Sequence, residues 1–289
     1  MDLRRLRLFV AVVEHGGFTA AARAEFVAQP AVSLAVKELE AELGAALVVR
    51  SRGGARLTPA GEALYEPARQ ILRDVEVAAA AVAAVTGLVA GRLDVAVLAT
   101  LAADTVAPVV GSFRTAHPDV AVDVTAPAEP ADLARAVRTG AAEVGVTEQG
   151  PANDGLVEHP LGAQEIVAVG AGRGRALRWA DVATRPLVLT PRGTGLRERV
   201  EAAAAAAGVD LPAPAVETEV REALVPLALA GAGVAIVPRS LARDVDARHL
   251  DPPLERPIVL VHREAGLSPA AQRFAALATS RRPPRTSAT

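Results

Sequence analysis

The sequence contains no cysteine. That absence excludes disulfide scaffolds, thiolate zinc fingers, iron–sulfur clusters and cysteine nucleophiles. The histidines never fall at the spacing of metal ligands, so we expect neither a metal nor any other cofactor. They are His15, His117, His159, His249 and His262.

Long apolar runs are also missing. The longest charge-free stretches, 77–91 and 224–238, are shorter than the roughly 20 residues that a membrane span needs. The first residues lack the charged start, apolar core and cleavage site of a signal peptide. We therefore expect a cytoplasmic protein with no membrane partner.

Sequence signatures of catalysis are absent as well. The glycines at 170, 172 and 174 have the wrong spacing for a dinucleotide-binding loop. There is no Gly-x-Ser-x-Gly elbow, no Ser-x-x-Lys and no phosphate-binding P-loop. We predict that the protein is not an enzyme and has no catalytic residues.

Length and charge limit the remaining classes. With 289 residues, and about 150 residues per domain, we expect roughly two domains. Hydrophobic residues make up 51% of the chain, so a packed core can form. The formal net charge of −2 excludes a uniformly basic coat for polyanions but allows a local basic face.

Residues 1–58 predict a winged helix-turn-helix domain. Gly16-Gly17 ends the first helix, Thr19 is expected to cap the second, and Gly44 ends the third. A Gly-Gly turn between two short apolar runs predicts a β-hairpin. The expected elements are helices at about 3–14, 20–26 and 29–43 and strands at 46–50 and 56–58.

The third predicted helix has the two faces that a DNA reader needs. Its apolar stripe is Val32, Val36, Leu39 and Leu43, and its opposite face carries Gln29, Pro30, Ser33 and Lys37. A glutamine amide can pair with adenine in the major groove, a serine hydroxyl can reach a base or a phosphate, and a lysine suits a phosphate. The hairpin adds arginines that suit a narrow minor groove. The predicted DNA-binding residues are Thr19, Gln29, Pro30, Ser33, Lys37, Arg50, Arg52 and Arg56.

Residues 59–90 predict a long linker helix. Its apolar positions alternate in spacings of four and three, which is typical of a two-stranded coiled coil. The alternative is an amphipathic helix that packs on its own domain. The predicted dimerisation contacts are Leu64, Ala68, Ile71, Val75, Ala78 and Val82.

Residues 91–289 alternate strands with helices, which indicates an α/β domain with a mainly parallel sheet. We expect two lobes, the first formed by 91–162 and 267–280 and the second by 163–266. Strands are expected at 93–98, 120–124, 144–146, 165–169, 187–190, 234–237 and 258–262. Helices are expected at 105–116, 131–139, 194–207, 219–230 and 269–279.

The N-terminal motifs resemble those of the LysR-type transcriptional regulators. They are Phe9-Val10-Ala11-Val12-Val13-Glu14-His15-Gly16-Gly17-Phe18-Thr19-Ala20-Ala21-Ala22, Gln29-Pro30-Ala31-Val32-Ser33, Lys37-Glu38-Leu39-Glu40-Ala41-Glu42-Leu43-Gly44 and Leu57-Thr58-Pro59-Ala60-Gly61-Glu62. The resemblance implies a dimerising linker helix, a two-lobed sensor domain similar to periplasmic solute-binding proteins, and a homotetramer that bends promoter DNA. Two positions depart from the family pattern: Ala28 replaces a capping serine and Leu34 replaces a basic residue.

The resemblance also implies an effector cleft between the two lobes, at turns that follow strands. Helix N-termini at such turns favour anions. We expect the hydroxyls of Thr100 and Thr190 to hold a carboxylate-bearing metabolite, with Arg192 assisting. The predicted effector-binding residues are Thr100, Leu101, Thr147, Thr190, Arg192 and Val237.

The sequence thus predicts a transcription factor whose promoter binding or bending responds to a small anionic metabolite. Two alternatives stay open: a small-molecule-binding or transport component, and an enzyme on the solute-binding-protein fold. A gel-shift assay with the upstream DNA, with and without candidate metabolites, separates them.

Overall fold

The N-terminal domain consists of three helices and an antiparallel hairpin. This is a computed structural model that describes residues 1–51, 54–85, 91–174 and 176–280. The elements are α1 (Leu3–Glu14), α2 (Phe18–Ala24), α3 (Gln29–Leu43), β1 (Val48–Ser51) and β2 (Gly54–Leu57). The predicted bounds of α3 are confirmed. Phe9, Val12, Ala21, Val32 and Leu39 are fully buried in one core.

The ends of these helices follow local chemistry. Asp2 caps α1, because its side chain accepts a hydrogen bond from the Arg4 N–H at 3.0 Å. Gly44 ends α3 in the left-handed conformation, at a φ of 68°. Ala28 gives α3 no side-chain cap. The prediction that Thr19 caps α2 is wrong, because Gly17 is the cap residue and Thr19 lies inside the helix.

The long helix α4 (Pro59–Val85) joins the two domains. Its first half packs on the N-terminal core, where Ala68 is fully buried and Leu64 and Ile71 are half-buried. Farther along, Val75 is 42% exposed and Val82 is 71% exposed. The alternative prediction, that this helix packs on its own domain, therefore holds for its first half.

The C-terminal domain is built on one mixed sheet. Its strands are β3 (Gly91–Val97), β4 (Val120–Thr125), β5 (Val144–Glu148), β6 (Val157–Val169), β7 (Ala176–Arg178), β8 (Leu187–Leu189), β9 (Val216–Glu217), β10 (Val234–Pro238) and β11 (Ala247–His262). Its helices are α5 (Ala99–Leu101), α6 (Ala107–Ala116), α7 (Pro130–Arg138), α8 (Trp179–Ala183), α9 (Gly195–Ala206), α10 (Leu224–Leu229) and α11 (Pro269–Ser280). A π-helical turn, Ala102–Val106, connects α5 to α6.

The strand order β4-β3-β5-β11-β6-β10-β8-β9 divides this sheet into two parallel groups. Between them, β6 and β11 run antiparallel to each other and to their neighbours. The expectation of a mainly parallel sheet therefore fails at its centre. The first lobe has its own core around β3, β5 and α6, and the second has cores on both faces of β8 and β10.

The chain returns to the first lobe within β11, earlier than the predicted boundary near 266. Leu254 lies in the core of the second lobe, whereas Ile258 lies in that of the first. Residues Ile258–His262 pair with β5. The return is early because one long strand crosses both lobes. Within the described residues, no helix is long and apolar enough to cross a membrane.

Candidate DNA-binding surface and effector cleft

The buried face of α3 fixes the orientation of the helix. Val32 and Leu39 are 0% exposed and Val36 is 2% exposed, so α3 is clamped against α1 and α2. Leu43, predicted to extend this stripe, is 43% exposed. That prediction is wrong, because the last turn of α3 projects beyond the core.

The opposite face of α3 carries the predicted polar residues. The Gln29 amide donates a hydrogen bond to the Ser33 hydroxyl at 2.8 Å, and both side chains are half-buried. Lys37, one turn farther on, is exposed, as is Pro30. The Gln29–Ser33 bond holds both groups on one line along the helix. This polar ridge can present an amide, a hydroxyl and an ammonium to a DNA groove.

The acidic residues of α3 are neutralised by partners within the domain. Arg5 pairs with Glu38 at 2.9 Å and with Glu42 at 3.3 Å. The amino terminus, by hydrogen bonding, and Arg5 lower the pKa of the Glu42 carboxyl. A Glu40 oxygen accepts hydrogen bonds from the N–H groups of Leu47 and Val48 at 2.7 and 3.2 Å. These contacts turn negative charge away from the polar ridge.

The hairpin is held close to the turn between α1 and α2. The Ala55 N–H donates to the Gly16 carbonyl at 3.2 Å. Gly54 has a φ of 125°, and a Cβ there would lie 2.1 Å from the Gly16 oxygen. Only glycine permits this approach, which leaves Arg56 exposed on β2. Arg52 lies outside the described residues, and so does the side chain of Arg50.

Three exposed side chains complete this surface. Thr19 lies in the first turn of α2, where free N–H groups suit a phosphate. Leu34, next to Ser33 on α3, is 58% exposed. Phe26 was not predicted as a surface feature. Its ring is 95% exposed, and its backbone is left-handed, with a φ of 54°, in the turn between α2 and α3.

In the C-terminal domain, a cleft lies between the two lobes, at the carboxyl ends of β3, β5 and β10 and at the start of α9. It holds about 460 Å³ of space free of protein atoms, open solvent included. Its polar lining is Thr100, Glu129, Glu148, Arg221 and Arg256, and its apolar lining includes Leu98, Pro130, Leu196, Leu224, Pro238 and Leu241.

Arg256 occupies the centre of the polar lining. Its side chain is 8% exposed and donates to the Gln164 amide oxygen at 2.8 Å and to the Thr100 hydroxyl. Its guanidinium lies 3.8 Å from a Glu148 carboxylate oxygen. Burial lowers the pKa of Arg256 to about 10, and the charge of Glu148 opposes this shift. Arg256 therefore stays positively charged at neutral pH.

Ion pairs cross the cleft with a constant polarity. Arg199 pairs with Glu148 at 3.1 Å and Arg221 with Glu129 at 3.6 Å, and Arg243 pairs with Asp104. In each pair the arginine belongs to the second lobe and the acid to the first. The Thr100 carbonyl also accepts hydrogen bonds from Gln164 and Ser240, each at 3.2 Å. These contacts hold the two lobes together.

Of the predicted effector-binding residues, Thr100 lines the cleft. The others do not, and the prediction is wrong for them. Leu101 and Val237 are fully buried core residues, and Thr147 is fully buried on β5. Thr147 and Val237 were each placed one residue from the cleft-lining Glu148 and Pro238, because successive strand residues face opposite sides.

The remaining two predicted effector residues turn away from the cleft. The Thr190 side chain is buried, and its hydroxyl lies 2.7 Å from that of Thr194. The Arg192 side chain is 80% exposed and lies 3.6 Å from Glu201. Sequence reasoning missed Glu148 and Arg256, since neither belongs to a local motif.

The predicted dimerisation contacts separate into two groups. Ala68 is covered by the N-terminal core and is not available to a second copy, contrary to the prediction. Leu64 and Ile71 pack against the same core. Val75 and Val82 are exposed, as is Ala78. A second copy can therefore reach the later half of α4.

Comparison with known proteins covers both domains. Residues 3–62 match the family "Bacterial regulatory helix-turn-helix protein, lysR family", and residues 86–282 match "LysR substrate binding domain". The HTH-type transcriptional regulator TfdS of Cupriavidus pinatubonensis is 34% identical over 249 residues, which is 84% of each chain.

Solved structures show the same architecture. The crystal structure of CbnR, a LysR family transcriptional regulator, is 28% identical, covers 97% of this chain and 99% of its own, and has a TM-score of 0.69. CbnR complexed with its target DNA has a TM-score of 0.67, with the same identity and coverage. A full-length OxyR from Pseudomonas aeruginosa is 23% identical, covers 97% and 94% of the two chains, and shares the fold with a TM-score of 0.78.

A winged helix-turn-helix, a long linker helix and a two-lobed sensor domain define a ligand-responsive DNA-binding protein. This chain belongs to the LysR family of transcriptional regulators. It acts as an effector-responsive regulator whose partners are promoter DNA, an effector and further copies of itself. The matched relatives are transcriptional regulators and not enzymes.

Proposed function

We propose that the polar ridge of α3 reads the major groove of promoter DNA. The observation that carries this proposal is the contrast between the two faces of the helix: Val32 and Leu39 are fully buried, while Lys37 is exposed. The hairpin then lies over the neighbouring minor groove. The proposed contacts are Thr19, Gln29, Pro30, Ser33, Lys37 and Arg56, with Arg50 and Arg52 as further wing contacts.

The effector binds in the cleft between the lobes through a carboxylate. Arg256 is nearly buried and already donates to Thr100, so a bound carboxylate has a charged donor and a hydroxyl within reach. Ion pairs such as Arg199–Glu148 join the lobes in the empty cleft. An effector that exchanges with these pairs changes the balance between lobe arrangements, provided that it prefers one of them.

The regulator assembles through the later half of α4, where Val75, Ala78 and Val82 contact a second copy. Two such dimers form the tetramer that bends promoter DNA, and the effector alters that bend. The two predicted domains end at 58 and begin at 91, with α4 between them. The protein works in the cytoplasm and carries out no catalysis.

The experiment that tests DNA reading is fluorescence anisotropy on the labelled upstream promoter fragment, with Ser33→Glu. A carboxylate in the groove removes one base contact and adds repulsion, so we expect about a 10- to 100-fold loss of affinity. Ser280→Glu, at the exposed end of α11, adds the same charge far from the polar ridge and serves as the control. Equal affinities of the two variants would contradict the proposal.

A further inference from the structure

The charged lining of the cleft is electrically balanced. Of the residues that line it, Glu129 and Glu148 carry negative charge, and Arg221 and Arg256 carry positive charge. A dianionic effector would bring two uncompensated charges into this neutral site. A molecule with one charge of each sign matches the lining.

Opposite charges also lie side by side. The Arg256 guanidinium and the Glu148 carboxylate are 3.8 Å apart on one wall of the cleft. A carboxylate bound to Arg256 and Thr100 would therefore lie beside the like charge of Glu148. Repulsion at such short range in a partly buried site is costly, unless a positive group on the same ligand faces Glu148.

Glu148 also occupies the position where an effector anion would otherwise bind. One of its carboxylate oxygens lies 3.2 Å from where a Cβ on Gly195 would be, at the first residue of α9. A helix N-terminus attracts anions, and here the resident carboxylate already supplies one. The effector carboxylate is left with Arg256 and Thr100.

We propose that the effector is an α-amino acid with an apolar side chain. Its carboxylate binds Arg256 and the Thr100 hydroxyl, and its ammonium group binds Glu148. An α-amino acid carries both charges on one carbon, which matches the adjacency of Arg256 and Glu148. The leucine and proline side chains of the cleft receive the apolar part. This inference rests on the proposed effector role of the cleft and specifies its chemistry.

The test is isothermal titration of the full chain with valine, leucine, isoleucine, methionine and phenylalanine. Each amino acid is compared with the acid that lacks the amine and with the amine that lacks the carboxylate; succinate is the dianionic probe. We expect at least one amino acid to bind about 10-fold or more tightly than both of its analogues, because each analogue leaves one buried charge without its partner. In Glu148→Gln this preference over the deaminated acid disappears. The control Glu255→Gln, on the exposed side of β11, keeps it.

Two outcomes separate this inference from the proposal beneath it. If a deaminated acid or succinate binds as tightly as every amino acid, and Arg256→Met abolishes that binding, the cleft takes carboxylates and the amino-acid inference is overturned. If an amino acid binds with undiminished affinity to Arg256→Met, the cleft is not the effector site and both proposals fail. Absence of binding by all five amino acids also overturns the inference.

Discussion

Arg73 of α4 connects the linker helix to the first lobe of the sensor domain, and its removal gives the sharpest prediction. The guanidinium lies 2.8 Å from an Asp94 oxygen and 3.4 Å from a Glu143 oxygen. The Arg73 side chain is 16% exposed, and those of Asp94 and Glu143 are 9% and 3% exposed. Arg73→Met keeps most of the side-chain volume and leaves two buried carboxylates without their shared cation.

The expected loss follows from burial. Breaking a buried ion pair by removing one partner typically costs about 3–5 kcal/mol, because the remaining charge stays out of water. Asp94 keeps a second partner, since Arg92 lies 2.7 Å from its other oxygen. We therefore expect Arg73→Met to lower the free energy of unfolding by about 3 kcal/mol at neutral pH, the lower end of that range.

The loss should depend on pH through Glu143. Burial raises the pKa of this carboxyl, while hydrogen bonds from Ser268 and the charge of Arg73 oppose the shift. A raised pKa means that the folded state binds more protons, so stability falls as pH rises from the unfolded value through the folded one. Without Arg73 the folded pKa rises further. The deficit of Arg73→Met should therefore be larger at about pH 8 than at about pH 5.

Urea unfolding followed by circular dichroism measures both effects. The control is Arg92→Met, which removes a cation from the same Asp94 at a side chain that is 64% exposed. Exposed ion pairs contribute little, so we expect this control to cost less than about 1 kcal/mol. Equal losses in the two variants, or a deficit of Arg73→Met that does not change with pH, would refute the reasoning.

Three further predictions concern the DNA-binding domain and assembly. Phe26→Asn should raise the free energy of unfolding by about 1 kcal/mol in urea titrations, since asparagine tolerates the left-handed backbone and an exposed ring contributes no burial; no gain would show that the ring is covered in solution. Val82→Asp should weaken self-association in sedimentation equilibrium, whereas Leu229→Asp, exposed on α10, should not. Lys37→Ala should reduce the slope of log affinity for promoter DNA against log salt by about 1, and an unchanged slope would remove Lys37 from the phosphate contacts.

Much of the fold could be predicted because its elements have strong local patterns. The helix Gln29–Leu43 has an apolar stripe and a terminal glycine, and both appear as predicted up to the last turn. The direction of β6 and the length of β11 could not be predicted. Pro252, Pro253 and Pro257 interrupt the β11 sequence, and its register against β6 shifts between His249 and Leu254. Such a strand exists because partners on both sides hold it, which no local pattern reveals.

The site divides in the same way. Gln29, Ser33 and Lys37 lie within three turns of one helix, so periodicity places them on one face. Arg256 and Thr100 are 156 residues apart and meet only through the crossing of the lobes. Position after a strand was enough to predict Thr100, but not to tell which of two consecutive residues, Thr147 or Glu148, faces the cleft.

The straight run of α4 between the DNA-binding domain and Arg73 also has a mechanical consequence. From Pro59 to Arg73 the helix rises about 21 Å, at about 1.5 Å per residue. A tilt of about 10° imposed at Arg73 displaces the far end by about 4 Å, close to the ~3.4 Å rise of one base-pair step. The helix is thus a lever arm, long enough to turn a small rotation of the sensor into a one-step offset on the duplex.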